Sequence, residues 1–218
     1  MEIKMTLIRL TIWLFLLVLT AGAASALDPV DSGPAVSRRM ADADTRSLLS
    51  TLPKNNGYLQ VRFEHLSDFS YEFSEEEIFT EDSRVVLARL HAKNQIPRRI
   101  RELDGKKATV EGYMIPIDFG EGDVLSFILV PSQQACCYGV PPRINEIVYA
   151  KMSAGKKTKY FKDMPIHVWG TLVVGEEIRD GTVFCMYFME AEKVEMTPEG
   201  IQLRNEIIQM QKSLLQTR

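Results

Sequence analysis

Cys136 and Cys137 are adjacent in this chain, Cys185 is the only other cysteine, and His167 is the histidine placed to join them. Three chemistries are open to these residues. A vicinal disulfide would close a strained ring, because consecutive α-carbons lie about 3.8 Å apart while bridged cysteines usually span about 4.4–6.8 Å. Such a bond is easily reduced, which makes it a switch rather than a staple. Alternatively, Cys185 pairs with Cys136 or Cys137, tying the loop that carries the pair to a later strand and stabilising the fold by about 2–4 kcal/mol. The third reading is a soft-metal site, in which Cys136, Cys137 and Cys185 with His167 offer thiolate and imidazole donors suited to zinc or copper. Adjacent cysteines lack the two-residue spacing of structural zinc sites. A lone strand histidine is commonly a solvated or packed residue, and His167 shares a face with Trp169.

The loop around the thiols supplies a candidate ligand-binding surface made of Cys136, Cys137, Tyr138, Pro141, Pro142 and Asn145. Pro141-Pro142 fixes two φ angles and removes two donors, so the backbone is stiff and extended, while Asn145 is placed to bond loop backbone. The catalytic inventory is thin. No Gly-x-Ser-x-Gly elbow, phosphate loop, His-Glu-x-x-His motif or dinucleotide fingerprint occurs. Only Tyr138 adjoins the thiols as a proton acceptor, and Asp118, Glu121 and Asp123 read as a solvated hairpin tip. The expectation is a non-enzymatic binding module with no certain cofactor, and the alternative is a thiol-dependent redox or soft-metal-handling protein.

The elements that must position this loop are strands. After Asp104-Gly105, strand-like runs cover Ala108 to Ile117, Val124 to Val130, Glu146 to Met152, Pro165 to Gly175 and Thr182 to Val194, the last following a turn at Asp180-Gly181. Gly112 and Gly170 fall within strands, where a barrel bends sharply, so the reading is a mainly β (α+β) chain built on a small OB-like five-stranded barrel. A β-sandwich is the competing architecture. Upstream, Tyr58 to Phe73 alternates as a strand or strand pair. Ser74 to Glu77 has capping-box spacing before a helix from about Glu81 to Lys93, with Val86, Leu90 and Phe79 on one face. Thr197-Pro198-Glu199 opens a C-terminal amphipathic helix over 197–218, for which docking on the core is the expectation and partner binding the alternative.

Composition bounds the rest. The chain has 218 residues, 45% of them hydrophobic, and a net charge of −3, so it is globular and lacks the cationic field that draws nucleic acid. Lys4 and Arg9, the apolar run Leu10 to Leu19 and Ala24-Ser25-Ala26 form a secretory signal peptide over 1–26 with cleavage near Ala26. Export to the periplasm or beyond is therefore expected, with membrane contact only through an uncleaved signal segment. An odd number of cysteines in an oxidising compartment leaves one unpaired, bound or shared. Residues 27–56 read as a flexible lead, and the single folded domain as 57–196.

With Leu103-Asp104-Gly105-Lys106, Gly112-Tyr113-Met114-Ile115-Pro116, Phe127-Ile128-Leu129-Val130-Pro131, Ala135-Cys136 and Val168-Trp169-Gly170 in place, the stretch from about Ile100 to Glu195 resembles the exported bacterial domain of unknown function 3299 family. Many members carry a histidine two residues after the matching cysteine and a longer proline run, where this chain has Tyr138 and Val140-Pro141-Pro142-Arg143. The resemblance implies an exported accessory protein, with envelope or ABC transporter components as partners, and implies no established activity.

Overall fold

A computed structural model describes residues 47–72, 82–134, 141–179 and 182–216, without the side chains of Ser83 and Thr182. The expectations for the signal peptide, Phe73, Ser74 to Glu77, Phe79, Cys136, Cys137, Tyr138 and the Asp180-Gly181 turn lie outside the described residues.

Among the described residues, five strands close on one another. They are β3 (Lys106–Gly120), β4 (Asp123–Val130), β5 (Val148–Met152), β6 (Pro165–Arg179) and β7 (Thr182–Met196). β3 pairs with β4, β4 with β5, β5 with β7 in parallel, β7 with β6, and β6 back onto β3. This ring accounts for the alternation seen in the sequence, since Ala108, Val110 and Met114 face the core while Glu111 faces out. β3 turns into β4 through Glu121 and Gly122, whose φ angles of 54° and 87° match the twist of a tight hairpin. A register shift between Pro116 and Asp118 lets Ser126 and Phe127 both be buried on β4.

Gly112 and Gly170 are required by close backbone approach. A Cβ on Gly170 would stand 2.1 Å from the Glu190 carbonyl oxygen, and one on Gly112 would stand 2.5 Å from that of Val130. The core is formed by Val110, Phe127, Leu129, Ile166, Leu172, Tyr187 and Met189, all fully buried.

The N-terminal part differs from the sequence expectation. Ordered structure begins before Gly57, with α1 (Leu48–Thr51), β1 (Lys54–Asn55) and β2 (Tyr58–Val61). Leu52 is buried, and Leu48 and Leu49 pack on the core, so residues 48–56 belong to the fold rather than to a flexible lead. β2 extends the ring's sheet by pairing in parallel with β3. The aromatic run then becomes a helix, α2 (Phe63–Ser67), because Phe63 and Leu66 are three residues apart and bury together on one helical face. α3 (Ser83–Lys93) forms as expected, capped by the Asp82 carboxylate, which accepts from Arg84 N at 2.9 Å. Its Val86 and Leu90 pack with Val183 in a second, smaller core. α4 (Arg98–Arg101) buries Ile100.

The largest correction concerns α5 (Pro198–Gln216). Of its residues, Gly200 is buried and Ile201 through Gln216 are all exposed. Among the described residues nothing covers its apolar face beyond the first turn, so the expected docking on the core is not seen there.

Candidate functional site

The Pro141-Pro142 loop leads into a cleft of about 660 Å³. One wall is Phe69 to Glu72, the other is Pro142 to Ile147, and Val183 and Phe184 of β7 complete it. The second wall is shaped by a short 3-10 turn, Ile144–Glu146. Its geometry is closed by Arg143, whose backbone N–H donates to Glu146 Oε2 at 3.0 Å and whose guanidinium donates to Oε1 at 2.7 Å. That guanidinium holds the Glu146 carboxyl below the usual range.

The first wall has no regular secondary structure, so its backbone groups need partners from elsewhere. Asn145, 2% exposed, donates its side-chain amide to the Phe69 carbonyl at 2.8 Å. The Gln95 amide exchanges two bonds of 2.8 Å with the backbone of Glu72. The Tyr71 hydroxyl donates to Glu176 Oε1 at 3.1 Å. Buried Arg99 donates to the Asp68 carbonyl and lies 3.7 Å from its carboxylate. Tyr187 reaches from β7 to the Leu66 carbonyl at 2.7 Å. Burial, reinforced by the Glu176 charge, raises the Tyr71 phenol well above its ordinary range, so it stays a donor.

The lining of Phe69, Tyr71, Pro142, Ile144, Ile147, Val183 and Phe184 is apolar and aromatic, with Glu72 and Arg143 as its charged members. Such a lining offers a ligand apolar contact and ring packing.

Of the residues read from the sequence as a site, Pro142 and Asn145 are brought to this cleft, and Pro141 is exposed just before it. Asn145 serves by holding the opposite wall. Cys185 follows Phe184 on β7 and carries a free thiol that is 1% exposed. Its Sγ is 3.9 Å from Glu177 Oε2, and burial, then the Glu177 charge, pushes the thiol up to about 12. Glu177 is in turn paired at 2.8 Å with Arg179, which lies over the Phe184 ring at 4.0 Å and the Tyr149 ring at 4.8 Å. A buried thiol with this proton affinity is not a nucleophile at neutral pH.

His167 is not brought to Cys185. On β6 it pairs with Glu195, whereas Cys185 pairs with Glu177, ten residues further along the strand. At about 3.3 Å per residue that is roughly 33 Å of strand. His167 instead bonds Glu111 across β3 at 3.2 Å and sits edge-on to Trp169. The four-residue metal set therefore does not assemble through His167, and among the described residues no three His, Cys, Asp or Glu side chains group to hold a metal. At the hairpin tip Lys157 bridges Glu121 at 3.2 Å and Asp123 at 3.1 Å, which makes that cluster an ion-pair clamp.

Sequence reasoning missed Phe69, Tyr71, Val183 and Phe184 as cleft residues. The alternating aromatics were visible, yet their convergence depends on contacts far apart in sequence.

The family model for "Protein of unknown function (DUF3299)" matches residues 53–196. The chain belongs to the DUF3299 family. The DUF3299 match starts well before Ile100, taking in β1, β2 and the first wall of the cleft, and ends where β7 ends. Among solved structures, a DUF3299 family protein from Pseudomonas aeruginosa PAO1 is similar at 24% identity and a TM-score of 0.45, over 64% of this chain and 96% of that one. A putative aspartyl-tRNA synthetase from Leishmania major Friedlin is similar at 9% identity and a TM-score of 0.35, over 74% of this chain and 26% of that one. Comparison with curated proteins finds no match.

Proposed function

We propose that this DUF3299 protein is an exported, non-enzymatic binding module whose cleft between Phe69–Glu72 and Pro142–Ile147 takes an apolar, aromatic-bearing ligand. The observation that carries the reading is an apolar lining on a wall held at Phe69 by Asn145 of the facing wall and at Glu72 by Gln95, with Arg99 and Tyr187 fixing the chain just before it at Asp68 and Leu66. A cleft held open this way loses little conformational freedom on binding. Export is supported by the basic, apolar and small-residue order of residues 1–26, and an accessory role beside envelope transport components by the family resemblance. No described helix is long and apolar enough to cross a membrane.

The test is a fluorescence titration with anilinonaphthalene sulfonate. Phe184→Ala and Ile144→Ala should each weaken probe binding by about 1–3 kcal/mol, the worth of a buried apolar side chain. Val173→Ala, outside the cleft, should leave it unchanged. Equal binding by all variants would sink the cleft reading. Periplasmic recovery of a chain beginning at Leu27 checks export independently.

A further inference from the structure

The α5 helix is anchored at one end and, among the described residues, exposed along the rest. Thr197 N donates to the Pro165 carbonyl at 3.0 Å, its hydroxyl accepts from Gly200 N at 3.0 Å, and Gly200 packs so closely that a Cβ there would meet the Pro165 oxygen at 2.7 Å. Beyond it Leu203, Ile207, Met210 and Leu214 are all exposed, with Ile201, Ile208 and Leu215 beside them. Intervals of four, three and four make the first set a coiled-coil seam, with Ile207 and Leu214 at a and Leu203 and Met210 at d.

The charges beside the seam choose the occupant. Glu199 and Glu206 fall at g positions, and Arg204 and Gln211 at e positions. In a parallel pair each g residue faces the e residue five positions on in the other helix, so Glu199 meets Arg204 of the partner subunit and Glu206 meets Gln211 of the partner subunit. An antiparallel pair aligned on the same four seam residues sets Glu206 against Ser213 and leaves Glu199 without a facing cation. The described charges of α5 are Glu199, Arg204, Glu206 and Lys212, which cancel, so the helix lacks the basic face that anionic lipid selects.

We propose that α5 is a self-association element, pairing in parallel with α5 of a second copy of this chain along Leu203, Ile207, Met210 and Leu214. The seam is short, so association is governed by concentration.

The test measures mass by light scattering on the protein as purified from its compartment, from about 1 to 100 µM, a range bracketing the affinity of a modest interface. Mass should rise from one chain towards two. Ile207→Glu with Leu214→Glu should hold it at one chain with the melting of the folded body unchanged, since both residues are exposed. Arg204→Glu should weaken association by about tenfold through like charges facing Glu199, and adding Glu199→Arg should restore it. Met210→Cys in a chain carrying Cys136→Ser and Cys137→Ser should give a cross-linked dimer on oxidation only if the helices are parallel. A one-chain mass at every concentration, a dimer indifferent to the two glutamates, or failure of the charge exchange to restore association would overturn the proposal.

Discussion

Asn145 and Phe69, 76 residues apart, are joined by a 2.8 Å bond from the asparagine amide to the phenylalanine carbonyl, and this bond spans the candidate cleft from one wall to the other. Asn145→Ala should cost about 1–3 kcal/mol, because a shielded carbonyl loses its donor. Urea denaturation measures the loss. Probe binding should weaken further than stability alone accounts for, as the Phe69–Glu72 wall is released.

Two glycines of β6 permit a sharper test of ring closure. Gly170→Ala places a methyl group against the Glu190 carbonyl and should destabilise by more than about 3 kcal/mol, at the upper end for overpacking. Gly175→Ala, five residues along the same strand with nothing within 4 Å of its added carbon, should change the thermal midpoint little.

Alkaline pH should destabilise the fold. The Cys185 thiol is raised to about 12, and Tyr71 and Tyr187 are raised above their ordinary range, in each case chiefly by burial. Below the unfolded thiol value of about 8.5 the Cys185 contribution is complete. As pH rises past it, the unfolded chain releases a proton that the folded chain keeps, and stability falls by up to about 1.4 kcal/mol per pH unit. Urea midpoints at about pH 8 and pH 10, on either side of much of that range, should show the decline, and Cys185→Ala should flatten it.

His167→Ala should leave zinc or copper uptake unchanged, because the imidazole is directed to Glu111 and lies far along β6 from Cys185. A loss of metal in equilibrium dialysis of this variant would show that the His167 ring joins Cys136 or Cys137 after all.

The strands were legible because their signals are local. Alternation at Ala108, Val110, Gly112 and Met114 and the turn residues at Glu121-Gly122 name their own conformations. Phe63 and Leu66 misled because a spacing of three fits a helix face as well as part of an alternating aromatic run, and packing under the ring decided between them. The cleft was half legible. Pro142 and Asn145 marked one wall, whereas the partners of the other, Gln95, Arg99 and Tyr187, are set by tertiary approach and leave no local trace. Amphipathicity in α5 told that an apolar face exists, without telling what would cover it.

Among the described strands β7 alone binds both β5 and β6, pairing Val148 with Tyr187 on one side and Val174 with the same Tyr187 on the other. Of the described strands it is also the last to leave the ribosome. Until Met196 has emerged, β5 and β6 each present an unpaired edge, and those edges are templates for mispairing. The order of synthesis therefore leaves the nascent chain as an open sheet, with the vulnerability of its edges removed in a single late step.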